Sequence, residues 1–267
     1  MKEENLLTIN RFAFDFHGNG DVIFCKTDYL FEAFKEIEAS NRNVVLISGN
    51  SDYCVTPEIA SKAPANIKFW FCQNATFSHD RVLAIPIGLE NHFEGREGHG
   101  YVWGHAAEKI KVIQKVDTKV KPSKLLYANF KVETNPKHRT PIKELCQKSE
   151  IVTWVEPKLS YEEFVADILD HEAVVCAQGN DSGDNHRIYE TLYLNRIPIT
   201  FNPQQYEVLH HKLPVILCAS EADLLDEEVI KEKISIAKKK SREWLDYNRW
   251  NKLIYEKLLS LERSASR

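Results

Sequence analysis

Apolar residues in this chain fall into short continuous runs, separated by longer stretches in which they recur every third or fourth position. Asp21–Cys25, Asn43–Ser48, Ile67–Cys72 and Val82–Ile87 are runs of the first kind and read as strands. The unbroken Val44-Val45-Leu46-Ile47 is the pattern of a strand covered on both faces. Tyr29–Ser40 is of the second kind, with Leu30, Phe34 and Ile37 on one helical face. After a polar connection at Lys111–Lys121 the plan repeats. Strands are expected at Lys124–Phe130, Ile151–Val155, Ala173–Ala177, Ile197–Thr200 and Leu213–Cys218. Helices are expected at Thr140–Ser149, with Pro141 in the first turn, at Ser160–Leu169, opened by the capping box Ser160-x-x-Glu163, and at His186–Asn195. The last ~45 residues read as helix throughout.

Strands alternating with helices predict βαβ units and mainly parallel sheets. Two such sets across a polar connection predict an α/β protein of two Rossmann-like lobes with a ligand cleft between them. The expected units are a first lobe at residues 1–115, a second lobe at 116–225, and C-terminal helices at 226–267 packing on both.

Composition narrows the class. In 267 residues, 43% are hydrophobic and 28% charged, which fits a globular protein with a real core. The net charge of -4 argues against a free-standing nucleic-acid binder. Met1-Lys2-Glu3-Glu4-Asn5 has no apolar run behind it, and no stretch approaches the roughly 18–20 apolar residues of a membrane span. A cytoplasmic protein is expected. The six cysteines form no C-x-x-C pair and read as buried free thiols.

The chemistry concentrates in Ala177–Ile199. A buried strand ends at Ala177, a loop rich in Gly, Asn, Ser and Asp follows, and a helix begins near His186. Such a loop offers backbone N–H groups and a helix N-terminus to a phosphate. Arg187, in the first turn, can present a guanidinium fork to a diphosphate, and Glu190 shares its helical face, placed to accept both hydroxyls of a ribose.

His186-Arg187-x-x-Glu190-x-Leu192, followed by Ile197-Pro198-Ile199, resembles the nucleotide-binding motif of exostosin-like glycosyltransferases of bacterial or viral type. The resemblance runs back through Ser160–Asp170 to Tyr127-Ala128-Asn129-Phe130 and Arg139. It implies the GT-B architecture, with Arg139 and Arg187 facing the donor diphosphate and Glu190 facing the ribose. Asn129, Gly179, Asn180, Ser182, Gly183, Asp184, Asn185 and His186 complete the implied donor site. Shorter blocks at Ser48–Asp52, Trp70–Asn74 and Ile85–Asn91 resemble segments of the same group. The activity implied is inverting, metal-independent transfer from a nucleotide-sugar to a saccharide, glycoprotein or lipid-linked acceptor, with no cofactor. The alternatives are a non-catalytic nucleotide-sugar or glycan binder and another Rossmann-type enzyme such as an epimerase.

The catalytic base is sought beyond the carboxyl end of a first-lobe strand. Asp52 follows Val44–Ser48 and ranks first, Glu90 follows Val82–Ile87 and ranks second, and Asp15 and His17 come third. Asp181-x-x-Asp184 reads as a cap on the next helix in preference to a metal pair. His92, His99 and His105 read as loop residues. The lysine-rich Lys231–Arg242 reads as a solvated helical face, with a peripheral membrane contact as the alternative.

Overall fold

The computed structural model describes residues 5–7, 11–16, 20–90, 106–180, 184–201 and 208–265. Among these, the strands form two wholly parallel sheets. The first runs in the order β1-β2-β3-β4, with β1 Val22–Lys26, β2 Val44–Gly49, β3 Ile67–Cys72 and β4 Val82–Ala84. The second runs β6-β5-β7-β8-β9, with β5 Lys124–Ala128, β6 Val152–Trp154, β7 His171–Val175, β8 Ile197–Thr200 and β9 Ile216–Leu217. In its own count the second sheet has the doubly wound order 2-1-3-4-5. The direction of winding reverses between β5 and β7, and that is where such sheets open a crevice for a ligand.

Helices cover both faces of each sheet. On the first sheet, α2 (Leu30–Ser40) buries Leu30, Phe34 and Ile37 against Leu46 and Trp70, as its apolar spacing requires, and the short α3 (Pro57–Ser61) packs Ile59 and Ala60 on the same core. The opposite face, with Val45, Ile47 and Phe71, meets the short α1 (Arg11–Asp15) and the last helix, α9 (Tyr247–Ala265), through Phe12, Trp250, Ile254 and Leu258. On the second sheet, α5 (Pro136–Lys148) and α8 (Glu227–Lys238) cover one face. Three helices, α4 (Ala106–Lys115), α6 (Tyr161–Leu169) and α7 (His186–Tyr193), cover the other. A single apolar layer holds Val45 and Phe71 of the first sheet together with Tyr127 and Val174 of the second, so the two units share one core.

The capping box forms as expected: Glu163 N donates to Ser160 Oγ and Ser160 N to Glu163 Oε2. Three expectations differ. Helix α5 starts at Pro136, so Pro141 lies inside it and not in its first turn; Pro136, which has no N–H to leave unpaired, takes the first position. The polar Lys111–Lys121 is helical as far as Lys115, and α4 contacts α6 of the second sheet. The C-terminal region is two helices, broken after Lys238 and resuming at Tyr247 beyond a short 3-10 turn at Glu243–Leu245. Helix α8 buries Ile230, Ile234 and Ala237 against the second sheet, and Lys231, Lys233 and Lys238 each pair with a carboxylate. Ile236 of the same helix is exposed. Among the described residues, no helix is long and apolar enough to cross a membrane. All six cysteines are free thiols; all are buried except Cys54, which is half-buried.

Candidate functional site

A cleft of about 870 Å³ opens where the strand ends of the two sheets face one another. Its second-sheet wall is built at the switch point. Asn129, Phe130 and Lys131 follow β5, Gly179 and Asn180 follow β7, and Arg187 and Glu190 project from the first two turns of α7. Helix α7 is capped by Asn185, whose Oδ1 accepts from Ile188 N at 3.3 Å. Asp184 therefore does not cap it as the sequence suggested.

Arg187 and Glu190 are joined at 3.3 Å, one turn apart. The guanidinium also donates through Nη1 to the Asn129 carbonyl and lies 4.2 Å over the Phe164 ring, which fixes its plane. Glu190 is 2% exposed, and its other oxygen lies 2.9 Å from Lys109 Nζ. Burial alone would raise the Glu190 carboxyl, but Lys109 and Arg187 outweigh it and hold the group below the usual glutamate value. The buried carboxylate is ionised. With about four lone-pair sites it keeps accepting capacity beyond these two cations.

Arg139 lines the same wall, but its guanidinium serves the backbone. It donates to the carbonyls of Gln178 and Lys131, both at 2.7 Å, and to Ala177 at 3.4 Å. Asn135 Nδ2 adds a bond to Gly179 O at 2.8 Å. Together they tie the loop after β7 to the start of α5. Burial, and secondarily the Arg187 charge, lower the Arg139 value to about 10. The diphosphate contact that the resemblance implies for Arg139 therefore competes with three carbonyls.

The first-sheet wall is supplied by loops after β1, β2 and β4. Gly49 lets Gln73 close over it; a Cβ there would lie 2.2 Å from Gln73 Oε1, which accepts from Asn50 N. This shapes the turn carrying Ser51, Asp52 and Tyr53 into the cleft. Gly88 has φ +72°, and a Cβ would lie 2.5 Å from the Leu7 carbonyl, so glycine is needed where the chain turns toward Glu90. Glu90 sits 3.8 Å from Lys109 Nζ and 3.6 Å from His186 Nε2. The His186 Nδ1 lies 2.9 Å from Gly88 O, so that nitrogen carries the proton and Nε2 faces the carboxylate.

Asp184 joins the walls from behind. It accepts from Tyr189 Oη, pairs with His210 Nε2 at 2.8 Å, and its own N–H donates to Asn74 Oδ1 at 2.9 Å. Its carboxylate also lies 3.5 Å from Ile87 N. These contacts reach both sheets and leave it a seam residue.

Of the residues singled out from sequence, Asp52, Glu90, Asn129, Arg139, Gly179, Asn180, Asp184, Asn185, His186, Arg187 and Glu190 all line this one cleft. His17, Asp181, Ser182, Gly183, His92, His99 and His105 lie outside the described residues. Asp15 is turned instead toward Arg11, at 3.7 Å, and toward Tyr247. Lys109 was missed. It lies on the stripe of α4 formed by Ala106, Ile110 and Ile113, and a charge among apolar positions was its visible signal. Among the described residues, no group of three or more His, Cys, Asp or Glu side chains is arranged to hold a metal ion. No protein-family model matches the chain, and no curated protein matches its sequence.

Proposed function

We propose that this protein is a GT-B-type glycosyltransferase that holds a nucleotide-sugar on its second-sheet wall and an acceptor hydroxyl on its first-sheet wall. The observation that carries the reading is the polarity of the cleft. The second-sheet wall presents Lys131, Arg139 and Arg187, the last paired with the buried Glu190 carboxylate, whereas the first-sheet wall presents Asp28, Asp52 and Glu90 with Lys26, and Lys109 stands between Glu90 and Glu190. A diphosphate is favoured on the former and a proton acceptor on the latter.

In this reading the ribose hydroxyls donate to Glu190, and the diphosphate faces Arg187 and the loop before α7. A carboxylate of the opposite wall, Asp52 or Glu90, takes the proton from the acceptor hydroxyl. The oxygen attacks the anomeric carbon as the bond to the diphosphate breaks, and the electron pair leaves with the nucleoside diphosphate. Arg187 and the backbone N–H groups before α7 stabilise that charge. The attack comes from the face opposite the leaving group, so configuration inverts. The acceptor is a saccharide or a glycoconjugate.

A melting-temperature screen against UDP, GDP, CDP, dTDP and ADP tests the reading, because a ligand of the folded state raises the melting point. One or more should raise it in a concentration-dependent way. No shift with any of them argues against it. Binding without turnover of any nucleotide-sugar favours a non-catalytic nucleotide-sugar binder.

A further inference from the structure

Lys109 is a charged side chain where the helix pattern asks for an apolar one. Ala106, Ile110 and Ile113 form the buried stripe of α4, and Lys109, on the same stripe, is 6% exposed. An ammonium so buried is tolerated only when paired. Its Nζ lies 2.9 Å from Glu190 Oε1 and 3.8 Å from Glu90 Oε2, with the Tyr161 ring centroid 5.8 Å away. Glu190 belongs to α7 of the second sheet, and Glu90 to the loop after β4 of the first. Helix α4 is the segment that carries the chain from one sheet to the other. A single ammonium, on the helix that connects the walls, therefore reaches a carboxylate on each.

We infer that Lys109 is a positioning residue, which holds Glu190 in place as the ionised acceptor for the donor's ribose hydroxyls and ties it to Glu90 across the seam. The inference rests on the reading above for the identity of the ligand. The groups facing Glu190 are Lys109 from α4, His186 and Arg187 from α7, and Tyr161 from α6, with Glu90 beyond Lys109. Arg187 is divided between Glu190, at 3.3 Å, and the Asn129 carbonyl, so Lys109 makes the closer contact. Without Lys109, burial would favour the protonated form of Glu190.

Lys109→Met, Lys109→Arg and the double variant Lys109→Met/Glu190→Gln test this in the full chain. Melting is followed without ligand between about pH 8 and about pH 5, the range over which a buried glutamate with a raised pKa would titrate. Lys109→Met should melt below wild type at the alkaline end, and the gap should narrow on acidification as Glu190 takes up a proton. Lys109→Arg should recover most of the loss. Adding Glu190→Gln to Lys109→Met should also recover much of it, so the two changes are not additive. UDP and GDP affinity, measured by calorimetry over the same range, should fall more steeply on acidification in Lys109→Met than in wild type, because protonation of the terminal phosphate, near about pH 6, is common to both. A pH-independent gap, or additive losses, overturns the inference. If Lys109→Met does not fold, folding of the double variant supports the inference and failure of the double variant overturns it. The melting curves contain no nucleotide, so a wild-type chain that binds none of UDP, GDP, CDP, dTDP and ADP counts against the glycosyltransferase reading and not against the ion-pair bridge.

Discussion

Asn180 donates a hydrogen bond from Nδ2 to Asp52 Oδ2 at 3.1 Å. Asn180 stands in the loop after β7 and Asp52 in the turn after β2, so the bond spans the mouth of the cleft from one wall to the other. Both side chains are exposed, and its net worth is about 0.5–1.5 kcal/mol at most. Its significance is geometric, because it puts a first-sheet carboxylate within reach of the loop assigned to the donor.

The first prediction concerns that carboxylate. Asp52→Asn keeps the shape and the contact with Asn180 but removes the proposed base. Nucleoside diphosphate affinity should be nearly unchanged, while the transfer rate falls by about 10²–10⁴. Near-native transfer would remove Asp52 from the chemistry and make Glu90, beside Lys109 and His186, the residue to test.

Glu190→Gln keeps the volume of the side chain but weakens what it can offer to hydroxyls and to Lys109. Nucleoside diphosphate binding should weaken by about 1–3 kcal/mol in calorimetry, the scale of a lost charged hydrogen bond. Unchanged affinity in a folded variant contradicts the ribose assignment.

The same carboxyl sets a pH dependence. Its native pKa is held below the usual glutamate value by Lys109 and Arg187 against the cost of burial. Its stabilising contribution is therefore complete above about pH 4.3, the unfolded value, and is lost as pH falls through the lower native value. In urea titrations of wild type and Glu190→Gln, the stability difference should be constant from neutral pH to about 5 and shrink below about 4. A difference that grows on acidification contradicts the ion-pair cluster.

Arg139→Lys separates scaffold from ligand contact. Lysine cannot serve three carbonyls with one planar fork, so stability should fall by about 1–3 kcal/mol even without ligand. A variant as stable as wild type but weak in diphosphate binding would return Arg139 to the donor.

Asp184 offers a matching contrast with metal chemistry. Asp184→Asn weakens its buried hydrogen bonds with His210 and Tyr189 and should cost about 1–3 kcal/mol in urea unfolding. Turnover should survive EDTA, because Arg187 and Lys131 already present cations to the diphosphate wall. Loss with EDTA that Mg²⁺ or Mn²⁺ restores would reassign the acidic loop.

What could be read in advance was set locally. Val44–Gly49 is a strand because the continuous apolar run Val44–Ile47 needs cover on both faces, and Ser160 with Glu163 caps a helix by their spacing alone. The Arg187–Glu190 pair was visible as neighbours on one helical face. What could not be read depends on partners far along the chain. Asp184 resembles a helix cap until Tyr189, His210 and Asn74 are seen around it. Arg139 resembles a phosphate ligand until the carbonyls of residues 131, 177 and 178 are seen to claim it. The break after Lys238 has no signal in the pattern, because the Lys-rich run keeps its apolar spacing through Ile230, Ile234 and Ala237 up to the break.

The most direct test of the central claim is the release of nucleoside diphosphate from a panel of nucleotide-sugars, with and without glycan acceptors, by wild type and Arg187→Ala. The account predicts release from at least one donor, stimulated by an acceptor and reduced by Arg187→Ala by about 10²-fold, the weight of an oxyanion-type contact. No release from any donor, together with no nucleoside diphosphate binding, would contradict it.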